Sequence, residues 1–347
     1  MADMTNRIAP LLALLFCFAC GNTPMPIEIS GQTMGTTYRV VVTDQAMEMN
    51  AESFRVLVEA TLEQVNADYS NWDPDSEVSR FNASESLEFV EISHGFRQMM
   101  SLSDAVFHAT DERFDLTLTP VIDLWGFGTS GAVETRPNDT DLKAAMSLVG
   151  QTRVIERSSD GRQLRKTRPG ATIYLTAVAK GYGIDAVAAA LADAGATDFM
   201  VEIGGDLFVS GQSARGNKWM IGIERPEPGM RQVEEIVALT EVGMATSGDY
   251  RNYFEQDGVR FSHIIDATTG APITHRTASV TVIAESALAA DAWATALLVV
   301  GAEEGLQIAA ENRVDALFIV KQNSRNGDTF EHVMTPGFGA YRQSAEN

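Results

Sequence analysis

Cysteine is nearly absent from this sequence of 347 residues, where it occurs twice, as Cys17 and Cys20. The chain after Cys20 therefore cannot contain a disulfide framework, a thiol nucleophile or a zinc site built from cysteine. Basic residues are also few, with 26 Lys and Arg against 47 Asp and Glu and a formal net charge of −21. A surface of this charge repels nucleic acid and anionic lipid. A phosphate-bearing substrate would need a metal ion or a local basic pocket.

The N-terminal segment has the layout of a secretory signal. Its sequence, MADMTNRIAPLLALLFCFACGN, has an early positive charge at Arg7 and an apolar stretch over residues 8–19 that is short for a membrane span. Cys20 follows a small residue at the end of that stretch, an arrangement that resembles a lipobox. We expect a lipoprotein signal peptide over residues 1–19, lipidation of Cys20 and a tether over residues 20–30. Ordinary cleavage and an uncleaved anchor are the alternatives.

Strand-like and helix-like segments alternate irregularly after the tether. This order favours one α+β domain, of mixed α/β character, over residues 31–342 rather than a doubly wound sheet. Apolar spacing predicts helices over residues 51–68, over residues 95–110 and in AVAAALADAG. β-Branched or alternating runs predict strands in YRVVVT, ATIYLTAV, DFMVEIGGDLFVSG, WMIGIE, SVTVIA and ALFIV. The segment FDLTLTPVIDLWGFG begins like a strand, and residues 130–140 and 158–170 are predicted loops.

A polar pair interrupts an apolar run near the C-terminus. In ALAADAWATAL, Asp291 and Thr295 stand four residues apart and share one face of a predicted helix. A buried carboxylate needs a partner, because an isolated buried charge is strongly unfavourable. Carboxylate and hydroxyl oxygens are suitable ligands for a hard cation such as Mg²⁺. The alternative is a solvated aspartate beside a threonine that bonds back to its own helix.

The segment AVAKGYGIDA contains a second polar point. Gly181, Gly183 and Ala186 follow a predicted strand and fit the relaxed pattern G-x-G-x-x-G/A, with Glu202 about 20 residues farther on. This pattern is compatible with a dinucleotide-binding turn; the alternative is that the glycines only let a strand turn into a helix. Lys180 lies at the same turn, where a cation at a helix start would help to hold an anion.

Polar residues also concentrate around a histidine in the last third of the chain. MATSGDYRNYF, followed by FSHIIDATTG, brings together Thr246, Ser247, Asp249, His263 and Asp266. His263 is a candidate general base or polarising donor, because imidazole titrates near neutrality. A purely structural histidine is the alternative. Farther upstream, the paired glycines of VEIGGDLFVSG predict either a hairpin turn or the close approach of a flat ligand.

Taken together, an ordered set of segments resembles the ApbE family, the FAD:protein FMN transferases. The segments are GQTMGTTYRV, YSNWDPDSEVSRFN, FDLTLTPVIDLWGFG, AVAKGYGIDA, VEIGGDLFVSG, SHIIDATTGAPI and DAWAT, and they span roughly residues 30–340. The resemblance implies a single α+β domain of the T-fold-like ApbE type. It also implies that FAD and Mg²⁺ bind, that the FMN half of FAD is transferred to a threonine or serine hydroxyl of an acceptor protein, and that AMP leaves.

The resemblance also implies partners and a location. Acceptors in the family are flavoproteins such as subunits of the Na⁺-translocating NADH:quinone reductase and of Rnf-type complexes. An enzyme that modifies them is expected to be exported and held by its lipid at the periplasmic face of a bacterial membrane. No nucleic acid partner is expected.

Individual roles follow from the same resemblance. Asp291 and Thr295, joined by the backbone oxygen of Ala177, would bind the metal ion. His263 would activate the acceptor hydroxyl, and Asp291 is expected to be catalytic as well. Contacts with FAD fall at Met34, Trp72, Arg113, Phe114, Asp115, Lys180 and Ile265. Where the family commonly has aspartate, this chain has Tyr174, to which no role is carried over.

Three alternative functions stay open at this point. Hydrolysis of FAD to FMN and AMP differs from transfer only in that water replaces the acceptor hydroxyl. A non-catalytic FAD-binding lipoprotein would hold FAD without releasing AMP. A nicotinamide-dependent oxidoreductase would require the glycine pattern to form a dinucleotide-binding turn and would need its cofactor outside the cytoplasm.

Overall fold

Short strands outnumber helices in the described part of the chain. The computed structural model describes residues 25–44, 49–128, 135–227, 229, 232–250, 252–322 and 329–343. The strands in this part of the chain are Ile27–Thr33 (β1), Thr36–Val42 (β2), Val90–Glu91 (β3), Ile155–Arg157 (β4), Gln163–Lys166 (β5), Phe199–Ile203 (β6), Asp206–Ser210 (β7), Trp219–Glu224 (β8), Val233–Leu239 (β9), Val242–Gly248 (β10), Tyr253–Gln256 (β11), Val259–Ser262 (β12), Ile265–Asp266 (β13), Ala271–Pro272 (β14), Thr277–Ala284 (β15), Asp315–Gln322 (β16) and Thr329–Met334 (β17).

Eight of these strands form a central sheet in the order β1-β2-β6-β7-β10-β15-β16-β17. Every neighbouring pair in this sheet is antiparallel. The other strands pair as β8 with β9, β11 with β12 and β13 with β14, and β3-β5-β4 form a small sheet. Antiparallel pairing confirms the α+β class and excludes a doubly wound parallel sheet.

The helices are Ala51–Tyr69 (α1), Glu77–Ala83 (α2), His94–Ala109 (α3), Thr119–Leu124 (α4), Asp139–Met146 (α5), Gln151–Val154 (α6), Thr176–Asp193 (α7), Ala287–Val300 (α8), Ala302–Glu311 (α9) and Pro336–Gly339 (α10). Several begin where a side chain accepts a backbone N–H that has no partner within the helix. Asn50, Ser93 and Ser286 cap α1, α3 and α8 in this way. No helix within the described residues combines the length and the apolar character needed to cross a bilayer.

Helix α8 covers one face of the central sheet and the β8–β9 hairpin covers the other. Val280 and Val282 of β15 pack in the same apolar cluster as Leu297 of α8. Ile283, the next residue of that strand, packs in a cluster with Trp219 of β8. Successive side chains of a strand point to opposite faces, so β15 is buried on both sides.

Helices α7 and α8 pack closely because glycine lies at their contact. A Cβ added at Gly181 would lie 2.4 Å from the backbone oxygen of Ala287. Next to this contact, the carboxylate of Asp185 accepts hydrogen bonds from the backbone N–H groups of Ala287 and Leu288, at 2.8 and 2.9 Å. These N–H groups have no partner within α8, so Asp185 fixes the beginning of α8 against α7. Burial raises the pKa of this carboxyl group to about 6.

The strand predicted in ATIYLTAV is wrong, because helix α7 begins at Thr176. Two asparagine side chains take the place of a neighbouring strand. Asn71 and Asn82 each donate to the carbonyl of Ile173 at 2.8 Å. The same amides accept the N–H groups of Ile173 and Leu175, at 2.7 and 2.8 Å. The backbone before α7 is therefore held by side chains that lie about a hundred residues away in sequence.

The strand-like start of FDLTLTPVIDLWGFG is also not a strand. Oδ1 of Asp115 accepts both the N–H and the hydroxyl of Thr117, at 2.6 and 2.5 Å. These bonds fold the backbone into a turn, which is a common competing conformation at aspartate.

The loop and tether boundaries need correction as well. Strand β5 lies within the loop predicted over residues 158–170, and α5 begins inside the loop predicted over residues 130–140. Strand β1 begins at Ile27, so part of the predicted tether belongs to the central sheet. The predicted signal peptide and Cys20 lie outside the described residues.

Replacing Gly181 with alanine should lower the free energy of unfolding by about 1–3 kcal/mol, because the added methyl group would overlap backbone atoms that cannot easily move. Gly339→Ala is the matched control, since nothing lies within 4 Å of a Cβ added there. Urea unfolding followed by circular dichroism measures both variants. Equal stability of the two would contradict the close approach of α7 and α8.

Candidate active site

Two adjoining cavities lie beside the start of α7. One has a volume of about 320 Å³ and the other of about 630 Å³. Both are lined by Tyr174, Thr176 and Lys180, so they meet at this point. Together they form a cleft that suits an elongated ligand whose middle lies against α7. We refer to the smaller one as the polar cavity and to the larger one as the second cavity.

Lys180 forms the centre of a buried charge cluster at the junction. Its Nζ donates to Oδ2 of Asp206 and, at 3.0 Å, to Oδ1 of Asp291. Burial, which neighbouring Asp206 reinforces, raises the pKa of Asp291 to about 6 although Lys180 opposes the shift. Burial also disfavours the charge of Lys180, yet the two carboxylates together raise the pKa of its ammonium above the ordinary value. The lysine is therefore charged at neutral pH.

Asp291 and Thr295 both line the polar cavity, as expected for two residues that share one face of a helix. The hydroxyl of Thr295 lies 3.0 Å from that of Ser247, at the end of β10. Oδ2 of Asp291 accepts the N–H of Gly181 at 2.9 Å. In a regular helix that N–H would donate to the carbonyl of Ala177. The hydrogen bond to Asp291 competes with this helical bond. The carbonyl oxygen of Ala177, which also lines the polar cavity, is then more available to another partner.

This donor set fits a hard divalent cation. A carboxylate, a hydroxyl and a backbone carbonyl are the oxygen ligands that Mg²⁺ prefers, usually together with water and substrate phosphate. In the described part of the chain, no group of three or more His, Cys, Asp or Glu side chains is placed to hold a metal ion. A cation at Asp291 would therefore depend on the neutral oxygens beside it and on the ligand.

His263 lies in the same cavity with one ring nitrogen fixed. Nδ1 lies 2.8 Å from the carbonyl oxygen of Asn252, which can only accept, so Nδ1 carries the hydrogen. In the neutral ring Nε2 then has a lone pair. The ring of Phe127 packs edge-on against the imidazole, with centroids 6.3 Å apart. Burial lowers the pKa of His263, so the basic form is present at neutral pH.

The residues predicted to contact FAD divide between the two cavities. Met34 and Trp72 line the second cavity, where the exposed fraction of Trp72 is 63%. Lys180 lines both cavities, and the polar cavity is lined by Arg113, Phe114, Asp115 and Ile265. The structure thus places all of the predicted contacts on one continuous cleft.

Two of these positions have partners that limit what they can do. Arg113 forms an ion pair with Glu304 at 2.7 Å. Besides the two bonds from Thr117, the carboxylate of Asp115 accepts the N–H of Gln151 at 2.8 Å. The Asp115 side chain therefore shapes the loop rather than presenting a free carboxylate to a ligand. Asp266 likewise closes its own loop, because Oδ1 accepts the N–H of Thr268 at 2.8 Å.

The interpretation of Gly181, Gly183 and Ala186 as a dinucleotide-binding turn is wrong. All three lie inside α7 rather than at a turn between a strand and a helix. Gly181 permits the contact with α8, and a Cβ added at Gly183 would lie 2.6 Å from Cε of Met34. These glycines serve packing. Lys180 is accordingly in the second turn of α7 and not at its first residue.

For the paired glycines, the structure confirms the interpretation as a hairpin turn, and the close approach of a flat ligand stays a prediction. Gly204 and Gly205 form the tight turn between β6 and β7, with φ angles of 62° and 100° that favour glycine. Gly204 also lines the polar cavity.

Neither Asp206, which binds Lys180, nor Asp185, which fixes the beginning of α8, was identified from the sequence. Asp206 directly follows the glycine pair, and Asp185 lies five residues after Lys180. An acidic residue within a predicted apolar core is the signal that could have found both, because buried carboxylates need partners.

The chain is similar to known proteins in sequence and in structure. The sequence model of the ApbE family matches residues 34–318. An FAD:protein FMN transferase from Vibrio cholerae is 38% identical over 335 residues, which cover 96% of this chain and 98% of that protein. One from Haemophilus influenzae is 36% identical over 328 residues, which cover 93% of this chain and 95% of that protein. The solved structure of the flavin transferase ApbE from V. cholerae superposes with a TM-score of 0.83 at 36% identity, covering 91% and 99% of the two chains.

His263 should titrate below the ordinary value of 6.5, because its burial disfavours the imidazolium. The unfolded chain then binds this proton more tightly, so the contribution of His263 to stability is lost as the pH falls below about 6.5. Imidazole NMR signals that are missing from the His263→Gln variant give the midpoint. The urea-unfolded protein is the control. A midpoint at or above that of the unfolded chain would contradict this account.

Proposed function

The chain belongs to the ApbE family, and we propose that it transfers the FMN half of FAD to a threonine or serine hydroxyl of an acceptor flavoprotein. The observation that carries this proposal is that Asp291, Thr295 and His263 line the polar cavity together with Lys180, which also lines the second cavity. An ammonium, oxygen ligands for a cation and a base thus lie close to where the middle of an elongated ligand would pass. Phosphoryl transfer requires mainly this positioning and charge compensation.

FAD fits the cleft as a ligand with a ring system at each end. Its diphosphate would lie at the junction, where the ammonium of Lys180 is charged. Trp72 and Met34 in the second cavity would contact one ring system, and the other would lie in the polar cavity near Leu118 and Ile265. With a divalent cation bound at Asp291, the charges around Lys180 would sum to a positive value, which would offset the repulsion that a chain of net charge −21 exerts on a phosphate-bearing substrate.

Asp291 and Thr295, with the carbonyl of Ala177, would hold Mg²⁺. When bound, the ion neutralises charge on the diphosphate and stabilises the departing phosphate. Asp291 retains the N–H of Gly181 as a second partner, which keeps the carboxylate oriented toward the cavity.

His263 supplies the base for the transfer step. Nε2 takes the proton from the acceptor hydroxyl while its oxygen attacks the phosphorus of the FMN half. A new phosphorus–oxygen bond forms, and the bond from that phosphorus to the bridging oxygen breaks. AMP leaves with the bridging oxygen, and FMN stays on the acceptor as a phosphoester. The carbonyl of Asn252 holds the ring in the required tautomer.

An assay with FAD, Mg²⁺ and a candidate acceptor tests this function. Flavin fluorescence that stays with the acceptor in a denaturing gel supports transfer. Free FMN with an unlabelled acceptor would instead indicate hydrolysis, in which water takes the place of the hydroxyl. FAD binding without release of AMP would indicate a non-catalytic flavin-binding protein.

Replacing Asp291 with asparagine should reduce FMN transfer by about 10²-fold or more, because a charged ligand that acts on the diphosphate is lost. Asp193→Asn is the control, since Asp193 is exposed at the end of α7. Acceptor labelling at saturating FAD measures the rate of each variant. Unchanged labelling by the Asp291→Asn variant would overturn the assigned role.

For the acceptor and the location, the proposal follows the family. Subunits of a Na⁺-translocating NADH:quinone reductase or of an Rnf-type complex, with a hydroxyl in an exposed segment, are the proposed acceptors. The chain would act at the periplasmic face of a bacterial membrane, held by a lipid on Cys20 after removal of residues 1–19.

Replacing Cys20 with serine should release the protein from membranes, because the lipid attaches to the thiol and serine offers none. Partition between detergent and aqueous phases after expression in a bacterial host measures this. Cys17→Ser is the matched control and should stay with the membrane. Equal partition of both variants would argue against lipidation at Cys20.

A further inference from the structure

Lys180 is bound by two carboxylates that come from different elements of the fold. Its Nζ donates to Asp206, the first residue of β7, and to Asp291 on α8. The exposed fraction of the Lys180 side chain is 30%, whereas those of Asp206 and Asp291 are 4% and 3%. Of these three side chains, the lysine is the one with access to both cavities and to solvent.

The two carboxylates are fixed in place by backbone groups. Oδ1 of Asp206 accepts the N–H of Thr246 on β10 at 3.0 Å. Oδ2 of Asp291 accepts the N–H of Gly181 on α7 at 2.9 Å. Each carboxylate is held by a backbone group that does not move with the ammonium, so we expect a rearrangement of this cluster to consist mainly of a movement of Lys180.

We propose that Asp206 is a positioning residue, which keeps Lys180 at the junction of the cavities when Asp291 binds a divalent cation. This inference rests on the proposed function, in which Asp291 is a ligand of that cation. The ammonium and the cation compete for Oδ1 of Asp291. Because Asp206 remains its ion-pair partner, Lys180 can move away from Asp291 and still have a full negative charge beside its ammonium. Its other N–H groups can then turn to the diphosphate of FAD.

The charges of the cluster support this exchange. Two carboxylates and one ammonium sum to −1, which attracts a divalent cation. Once the cation is bound, the sum is +1, which favours an anionic diphosphate. If Asp206 were neutral, the initial sum would be zero, and Lys180 would have Asp291 as its one carboxylate partner in this cluster. The cation would then have to break the ion pair on which the lysine depends.

Binding of Mn²⁺ to the purified full-length chain tests the proposal in the absence of flavin. Electron paramagnetic resonance of free Mn²⁺ gives the dissociation constant, and quenching of flavin fluorescence gives the affinity for FAD separately. Asp206→Asn keeps the shape of the side chain and its bond to Thr246 but removes the charge. Lys180→Met removes the competing cation and keeps much of the apolar stem.

The two variants should change Mn²⁺ affinity in opposite directions. Asp206→Asn should weaken Mn²⁺ binding roughly tenfold, and Lys180→Met should strengthen it roughly tenfold. Each substitution removes one charge close to the cation that Asp291 would hold. Lys180→Met should also weaken FAD binding. A merely structural role of Asp206 would not move the two Mn²⁺ affinities in opposite directions. Lys143→Met and Asp193→Asn, both at exposed positions, are the controls.

Asp291→Asn separates this inference from the proposed function. If this variant loses Mn²⁺ binding while Asp206→Asn and Lys180→Met bind as the wild type does, the positioning role of Asp206 is overturned. If Asp291→Asn binds Mn²⁺ as well as the wild type, the assignment of the metal ligand itself fails. Thermal unfolding of each variant, followed by circular dichroism, establishes that the protein measured is folded.

Discussion

A buried carboxylate on an apolar helix sets the requirements for the rest of the site. Asp291 is 2% exposed on α8, whose other buried residues are alanine, leucine and valine. An unpaired charge in such surroundings would be strongly destabilising, so α7 supplies both an ammonium and a backbone N–H. It can do so because Gly181 lets the helices approach and because Asp185 fixes where α8 begins. The fold and the site therefore depend on the same pair of helices.

For an anionic ligand, the charges around Lys180 matter more than the net charge of the whole chain. The chain as a whole is strongly acidic, yet the point where its two cavities meet carries a protonated lysine. The carboxylates that keep this lysine charged are the groups that would otherwise repel a phosphate. A divalent cation held at Asp291 would make the local charge positive, and charge at a few ångströms outweighs charge that solvent screens.

Much of this arrangement could be predicted from local patterns in the sequence. The alternation in DFMVEIGGDLFVSG gave its hairpin correctly, and the spacing of Asp291 and Thr295 placed both on one face of α8. Local patterns failed where partners are distant in sequence. ATIYLTAV has the composition of a strand, but the amides of Asn71 and Asn82 hold its backbone. Lys180 was predicted to hold an anion at a helix start, because its separation from Asp206 along the chain does not indicate that the two side chains meet.

The cleft draws its lining from widely separated parts of the chain, from Met34 in the turn after β1 to Val299 near the end of α8. A chain that emerges N-terminus first, from a ribosome or through an export channel, can complete the central sheet's first strands long before α8 is available. Until that helix docks on α7, the cleft lacks Asp291, Thr295 and the rest of the lining that α8 contributes. The ability to bind a ligand across both cavities is therefore acquired late, in one step. A chain whose C-terminal part has not yet been synthesised or exported would not bind a flavin nucleotide.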